Sequence, residues 1–369
     1  MSALYFYGTL RHLPLLERVL GRVVAPSEIV VASLPNSKVS WVAQASFPMI
    51  ELVEGAESDG ILLREPSADD VARLDFYEGG FGYALIEVET TQGPALMYLP
   101  GPEVGPAGEA FDLQDWVDAW ADVSLEAVDE VMRHFGTRSA SDVAGMFGAI
   151  RTRAGARLRA KAQDPHGFRG KVDIQNRTIP YATFFALEDV TVRIECFEGG
   201  MTPPLERAIF LAMDAAIVLP YDPVRDRVLL VEQFRLGPLG RADPSPWQLE
   251  PIAGHVDPGE TPELAAAREA EEEAGLTLHR LEPVSECYPS PGASSEFYYI
   301  FVGLCDLPDD SEGVAGVVSE GENIRSHVLN YEDFLDRLET GKFTVAPLIL
   351  AGHWLVRHRT RLRNEVSAP

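Results

Sequence analysis

A chain of 369 residues is longer than one ordinary domain, and its 46% hydrophobic content is enough for two or three separate cores. Lys and Arg number 31 against 57 Asp and Glu, a formal net charge of −26. That balance excludes nonspecific binding to nucleic acid or to anionic membrane, and it requires an anionic substrate to be met by metal ions or locally placed arginines.

The N-terminus has neither a basic n-region nor a cleavable apolar run, so no signal peptide is expected. The most apolar stretch, residues 208–221, is interrupted by Asp214, so no membrane span is expected. Three scattered cysteines, Cys196, Cys287 and Cys305, form no CxxC, which suits a reducing cytoplasm and no structural zinc.

Residues 4–10, LYFYGTL, read as an apolar strand running into a tight Gly-Thr turn, with a helix over 14–20. Backbone N–H groups at such a turn and helix start can receive an anion. A second helix is expected over 68–77, ending in LDFYEGGFGY at 74–83, and strands over 85–90 and 95–99. The pairing of YGTL with LDFYEGGFGY resembles the gamma-glutamylcyclotransferase-like (AIG2-like) family. The resemblance implies a small α+β barrel with a cavity. Tyr7, Gly8, Thr9 and Leu10 would hold the substrate, and Glu78 would act as general acid/base on a gamma-glutamyl amine. Members without shown cyclotransferase activity leave a binding or scaffolding role open beside the catalytic one.

The Pro/Gly-rich stretch 100–108 reads as a boundary. Beyond it Trp116, Trp120, Val123, Val128, Val131 and Phe135 recur at helical spacing and predict a packed connector. Arg151, Arg153, Arg157, Arg159 and Lys161 form a basic cluster, read first as a solvated face and second as a docking or steering surface. The expected division is a domain over 1–108, a helical connector over 109–165 and a second domain over 166–369, whose first part, 166–210, is a β subdomain. Strands are expected over 170–175, 181–187, 190–197, 207–211, 215–220 and 228–234, and a single short strand over 247–253.

Residues 254–276, GHVDPGETPELAAAREAEEEAGL, are the most informative stretch. Asp257-Pro-Gly-Glu260 is turn chemistry, Thr261 followed by Pro262 is a helix start, and Gly275 is a natural stop. On the helix between them Glu269, Glu272 and Glu273 share one face. Like charges that close destabilise a bare helix by a few tenths of a kcal/mol per pair, so a compensating cation is expected. Hard divalent ions take such oxygen ligands, and Mg²⁺ is shared between carboxylates and phosphates. The spacing of Gly254, Glu260, Arg268, Glu269, Glu272, Glu273, Gly275 and Leu276 resembles the Nudix box, with Ala270 at its first aliphatic position.

The Nudix resemblance implies an α/β/α sandwich around a mixed sheet and Mg²⁺- or Mn²⁺-dependent hydrolysis of a substituted nucleoside diphosphate. It makes Glu269, Glu272, Glu273 and the Ala253 carbonyl the metal ligands, with Arg268 and Glu260 bracing the loop. Further stretches resemble the ADP-ribose pyrophosphatase subfamily: Arg207 ahead of the first core strand, LPYDP at 219–223, VEQFR at 231–235, WQLEPIAG at 247–254, and Pro291 fifteen residues past the box. They carry Arg207, Arg235, Glu250 and Pro291 over as substrate-contacting positions and imply a swapped homodimer through the Nudix domain. The expected reaction converts ADP-ribose, a small-molecule nucleotide sugar, to AMP and ribose 5-phosphate. Another nucleotide sugar or a dinucleotide as substrate, and an ADP-ribose-sensing protein, remain as alternatives. The general base is expected in the acidic loop 306–322, at Glu320 first and Glu322 second. The fused arrangement resembles proteins labelled tellurite-resistance-associated, although no tellurium chemistry follows from these residues.

Overall fold

The computed structural model describes residues 2–163, 170–316, 321 and 323–367. The chain forms two compact units, Met1–Ala208 and Ile209–Pro369.

The first unit begins with β1 (Ala3–Phe6), α1 (Leu13–Leu20), β2 (Ile29–Val42), β3 (Pro48–Leu63), α2 (Ala68–Gly79), β4 (Ala84–Thr90), β5 (Gly93–Leu99) and β6 (Ala107–Ala110). These strands make one mixed sheet in the order β4-β5-β1-β3-β2-β6, with β1 parallel to β5. Strand alternation decides what each side of β1 buries. Leu4 and Phe6 join Leu15, Leu16, Val19, Leu63 and Trp116 in one core. Tyr5 and Tyr7 join Leu62, Ile50 and Met97 in another. Both expected helices form with local signals: Pro14 opens α1 and Gly21 closes it with φ of 69°. In α2 the Ser67 hydroxyl accepts from Asp70 N–H while Asp70 accepts from Ser67 N–H, a reciprocal cap.

The unit continues with α3 (Leu113–Arg133), α4 (Ala140–Gly145), α5 (Phe147–Ala162), β7 (Val172–Ala182), β8 (Ala186–Ile194) and β9 (Leu205–Leu211), the last leading into the second unit. Trp116, Val123, Val128 and Val131 are buried on α3, as their spacing predicts. The basic cluster on α5 is solvated only in part: Lys161 is exposed, but the cluster docks on acidic residues of α3. Arg153 is 2% exposed and its guanidinium donates to Glu130 on α3 at 2.6 Å and to the Phe184 carbonyl at 2.8 Å. Arg157 also reaches Glu130, and Lys161 pairs with Glu126. The strand expected over 181–187 is instead a hairpin turn: Thr183 N–H donates to the Phe185 carbonyl, and β7 pairs antiparallel with β8 across it. Two adjacent aromatics in a turn imitate strand composition.

The second unit contains β10 (Asp214–Asp222), β11 (Arg227–Phe234), α6 (Leu236–Gly240), β12 (Trp247–Glu250), β13 (Ile252–His255), α7 (Pro262–Ala274), β14 (Arg280–Cys287), β15 (Phe297–Leu304), β16 (Val314–Ala315), β17 (Ile324–Asn330), α8 (Tyr331–Glu339) and α9 (Ala346–Ser367). The sheet runs β14-β15-β10-β11-β17-β16, with β12 added to β11 and β13 to β10. Only the β10–β15 pairing in it is parallel among the described residues, so the sheet is mixed. The strand expected over 247–253 is two strands on different partners, separated at Pro251, which has no N–H for a ladder. Alternation again divides the core. Ala216, Val218, Leu229 and Val231 pack with Ala265, Ala266 and Ala270 of α7. Ile217, Leu219, Val228 and Leu230 pack with Phe334, Leu348 and Leu355 of α8 and α9. The result is the expected α/β/α sandwich.

Candidate functional site

The acidic helix α7 is placed by its ends. The Thr261 hydroxyl accepts from Leu264 N–H, Pro262 is the first helical residue, and Gly275 stops the helix with φ of 63°. Its alanines are small enough to bring its backbone against β10 and β13. At the closest point no side chain fits: a Cβ on Gly254 of β13 would overlap the carboxylate of Glu269. The β13 residue before that glycine is Ala253, so Glu269 lies along the backbone that carries the expected carbonyl ligand.

Arg268 braces the approach. Its Nε and one terminal nitrogen each donate to Glu260 at 3.1 Å, and the latter also reaches the His255 carbonyl at 3.0 Å. The other terminal nitrogen donates to Glu269 at 2.6 Å and Glu272 at 3.0 Å. Hydrogen bonding to Glu260 and the charge of Glu269 hold its proton more tightly than water would. Glu273 is 2% exposed, whereas the Glu272 side chain is 41% exposed. One guanidinium against the carboxylates of Glu260, Glu269, Glu272 and Glu273 leaves three negative charges on one helix and its lead-in loop. Among the described residues no three such side chains are gathered to hold a metal ion, and the Arg268 guanidinium contacts both Glu269 and Glu272. An all-oxygen donor set with surplus negative charge fits a hard divalent ion.

Arg235 and Glu250 come together at the ends of β11 and β12, with a shortest contact of 2.7 Å. Around them lie His255, Glu296 and Tyr298, which sequence reasoning did not single out. Burial lowers the pKa of His255 and raises those of Glu296 and Tyr298. Glu296 and Tyr298 interact with each other and with Arg235, a connection between β11 and β15 that no local motif signals. Pro291 sits in an exposed turn closed by Ala293 N–H on the Ser290 carbonyl. Arg207 lies on β9 in the first unit, its guanidinium donating to the Glu206 carbonyl. Glu320 and Glu322 lie outside the described residues. The loop before them is partly ordered by β16, which pairs with β17.

A separate cavity of about 750 Å³ lies in the first unit. Tyr7, Gly8, Thr9 and Leu10 line it together with Glu78 at the end of α2. Burial pushes the Glu78 carboxyl up to about 7. Burial also raises the phenols of Tyr7, Tyr77 and Tyr83, and the charge of Glu78 raises them further. A carboxyl that titrates near neutrality can both take and return a proton.

A mixed sheet between helical layers, with a glycine-seated, arginine-braced row of glutamates on one helix, defines a Nudix-type domain. The NUDIX domain model matches residues 211–349, and the chain belongs to the Nudix family. It is 41% identical over 194 residues to the ADP-ribose pyrophosphatase of Escherichia coli strain K12, covering 53% of this chain and 92% of that relative. The ADP-ribose pyrophosphatase of Haemophilus influenzae is 33% identical over 194 residues, covering 52% of this chain and 89% of its own. The GDP-mannose pyrophosphatase of Enterobacter sp. strain 638 is 27% identical over 172 residues, covering 47% and 88%. No helix among the described residues is long and apolar enough to cross a membrane.

Proposed function

We propose that the second unit hydrolyses the diphosphate of ADP-ribose to AMP and ribose 5-phosphate in a Mg²⁺-dependent reaction, with Mn²⁺ as a substitute. The observation that carries the reading is the carboxylate row of α7 seated on Gly254, supported by the similarity to two ADP-ribose pyrophosphatases. Glu269, Glu272, Glu273 and the Ala253 carbonyl would hold the ion. Bound there, it would supply charge neutralisation of the diphosphate and polarisation of a phosphorus. Arg268 keeps Glu260 and Glu269 in place, and the Arg235–Glu250 pair orients a guanidinium for the substrate. Glu320, with Glu322 as second choice, takes the proton of the attacking water. The reading includes a homodimer formed through the Nudix domain and a reducing cytoplasmic setting, which suits the free cysteines Cys196, Cys287 and Cys305.

Hydrolysis measured across ADP-ribose, GDP-mannose and NADH with and without Mg²⁺ tests the reading. ADP-ribose should be preferred, and Glu273→Gln should lose activity by orders of magnitude without unfolding. Tight ADP-ribose binding with no turnover in saturating Mg²⁺ would mark a sensor instead.

A second reading concerns the first unit, where the cavity around Glu78 favours an AIG2-like barrel with gamma-glutamylamine cyclotransferase activity over a scaffold. The α-amino nitrogen of a gamma-glutamyl amide attacks the gamma-carbonyl carbon, the C–N amide bond breaks, and 5-oxoproline and a free amine form. Two protons leave the α-ammonium nitrogen and two arrive on the departing nitrogen, with Glu78 passing them. Release of 5-oxoproline, abolished in Glu78→Gln, tests this.

A further inference from the structure

One wall of the first-unit cavity is made by two phenylalanines from separate segments. Phe81 follows α2, and Phe147 is the first residue of α5, beyond the sheet that builds the rest of the cavity. Their ring centroids are 5.0 Å apart at 74°, an edge-to-face contact. The wall is anchored. A Cβ on Gly80 would overlap the Ala140 carbonyl at the start of α4, and that atom belongs to backbone that cannot turn aside. The end of α2, which carries Glu78, is therefore seated directly on the helical segment that brings Phe147.

The chemistry of the lining is one-sided. Glu78 is its single carboxylate, and no lysine, arginine or histidine lines the cavity among the described residues. Phe6, Phe47, Pro48 and Val104 extend the apolar surface. A cavity of about 750 Å³ leaves room beyond a gamma-glutamyl group for a second moiety. A second carboxylate placed against the Phe81 and Phe147 rings would lose its hydration to apolar surface and share the space with Glu78.

We propose that Phe81 and Phe147 form a leaving-group subsite that selects gamma-glutamyl amides of apolar amines carrying no second charge. This rests on the cyclotransferase reading and follows the same balanced step, in which the departing nitrogen takes both protons and leaves as the apolar amine.

A matched pair of substrates tests it in the full chain. Gamma-glutamyl phenethylamide and gamma-glutamylphenylalanine differ only by the carboxylate on the leaving amine. Release of 5-oxoproline from the amide should exceed that from the dipeptide by about 100-fold in kcat/KM, on the scale of an uncompensated buried charge. Phe147→Ala should raise KM for the amide about tenfold and leave kcat near its original value. Phe147→Leu, which preserves apolar bulk, should fall between, and circular dichroism with an unchanged kcat reports folding of the first unit. Equal or faster turnover of the dipeptide overturns the inference while the cyclotransferase reading stands. An unchanged KM in both Phe147 variants places the leaving group elsewhere and also overturns it. Absence of 5-oxoproline from both substrates, in a chain that still hydrolyses ADP-ribose, removes the reading and the inference together.

Discussion

Gly254 and Glu269 occupy adjoining space so closely that a single methyl group on the glycine would overlap the glutamate carboxylate. The backbone of Gly254 is not in the left-handed region, so alanine is conformationally allowed there. The overlapping atoms are the far end of a flexible side chain, which can rotate away at a cost of about 1–3 kcal/mol. Gly254→Ala should therefore fold but displace Glu269 from the line of the Ala253 carbonyl. Activity should fall about 100-fold, in the range seen when the support of a metal ligand is lost. A titration of rate against Mg²⁺ should show a weakened midpoint, and wild-type Mg²⁺ dependence would detach Glu269 from the ion.

The first-unit cavity has a signature in stability. The Glu78 carboxyl titrates at about 7 rather than near its ordinary 4.5, because burial disfavours its charge. A carboxyl raised in the folded state stabilises the fold below its unfolded pKa, and that contribution is lost as pH rises through about 7. Glu78→Gln carries no charge at any pH. It should be more stable than the parent at about pH 8, by up to about 3 kcal/mol, with the advantage vanishing below about pH 4.5. Thermal melts of the full chain at both pH values check this. A pH-independent difference would mean that Glu78 is solvated.

How much of this was legible in the sequence follows the range of the interaction. The cap at Thr261 and the stop at Gly275 are set within one turn, and residue order alone shows them, whereas the pairing of Arg268 with Glu260 was expected only from the family resemblance. The division of the cores on the two sides of β1 and β10 was not legible, because both strands are nearly continuous apolar runs whose faces only the sheet distinguishes. The solvated-face reading of the α5 cluster failed at Arg153, because its partner Glu130 is 23 residues away on α3. Spacing shows that charges are numerous, not that a distant carboxylate is buried beside them. The same limit hid Phe147 as a cavity wall and Glu296 and Tyr298 as neighbours of Arg235.

That misread pair yields its own expectation. Arg153 and Glu130 are both almost fully buried, so removing Arg153 leaves the Glu130 carboxylate with the part-exposed Arg157 as its remaining partner. Arg153→Ala should destabilise the first unit by less than the roughly 3–5 kcal/mol of a fully unpaired buried charge, because Arg157 remains on Glu130, whereas replacing both Arg153 and Glu130 with apolar residues of similar volume should recover much of the loss. Denaturant midpoints of the single and double variants decide between them. A single variant as stable as the parent would show that Arg157 alone compensates Glu130.

The Arg235–Glu250 pair separates binding from chemistry. Three donor–acceptor contacts between 2.7 and 3.1 Å fix the guanidinium plane against the carboxylate. Such a fork sets orientation as well as energy. The Arg235 side chain is 40% exposed, so the pair adds little to stability and its worth lies in aim. If Arg235 meets the substrate diphosphate, Glu250→Gln should loosen that aim and raise KM for ADP-ribose about tenfold, with kcat within about twofold. Arg235→Ala should raise KM by a similar or larger factor. The double variant should be no worse than Arg235→Ala, because Glu250 acts through the arginine. Multiplicative losses would show that each residue contacts substrate independently. A fall in kcat at constant KM would instead place Arg235 on charge that develops only as the diphosphate bond breaks.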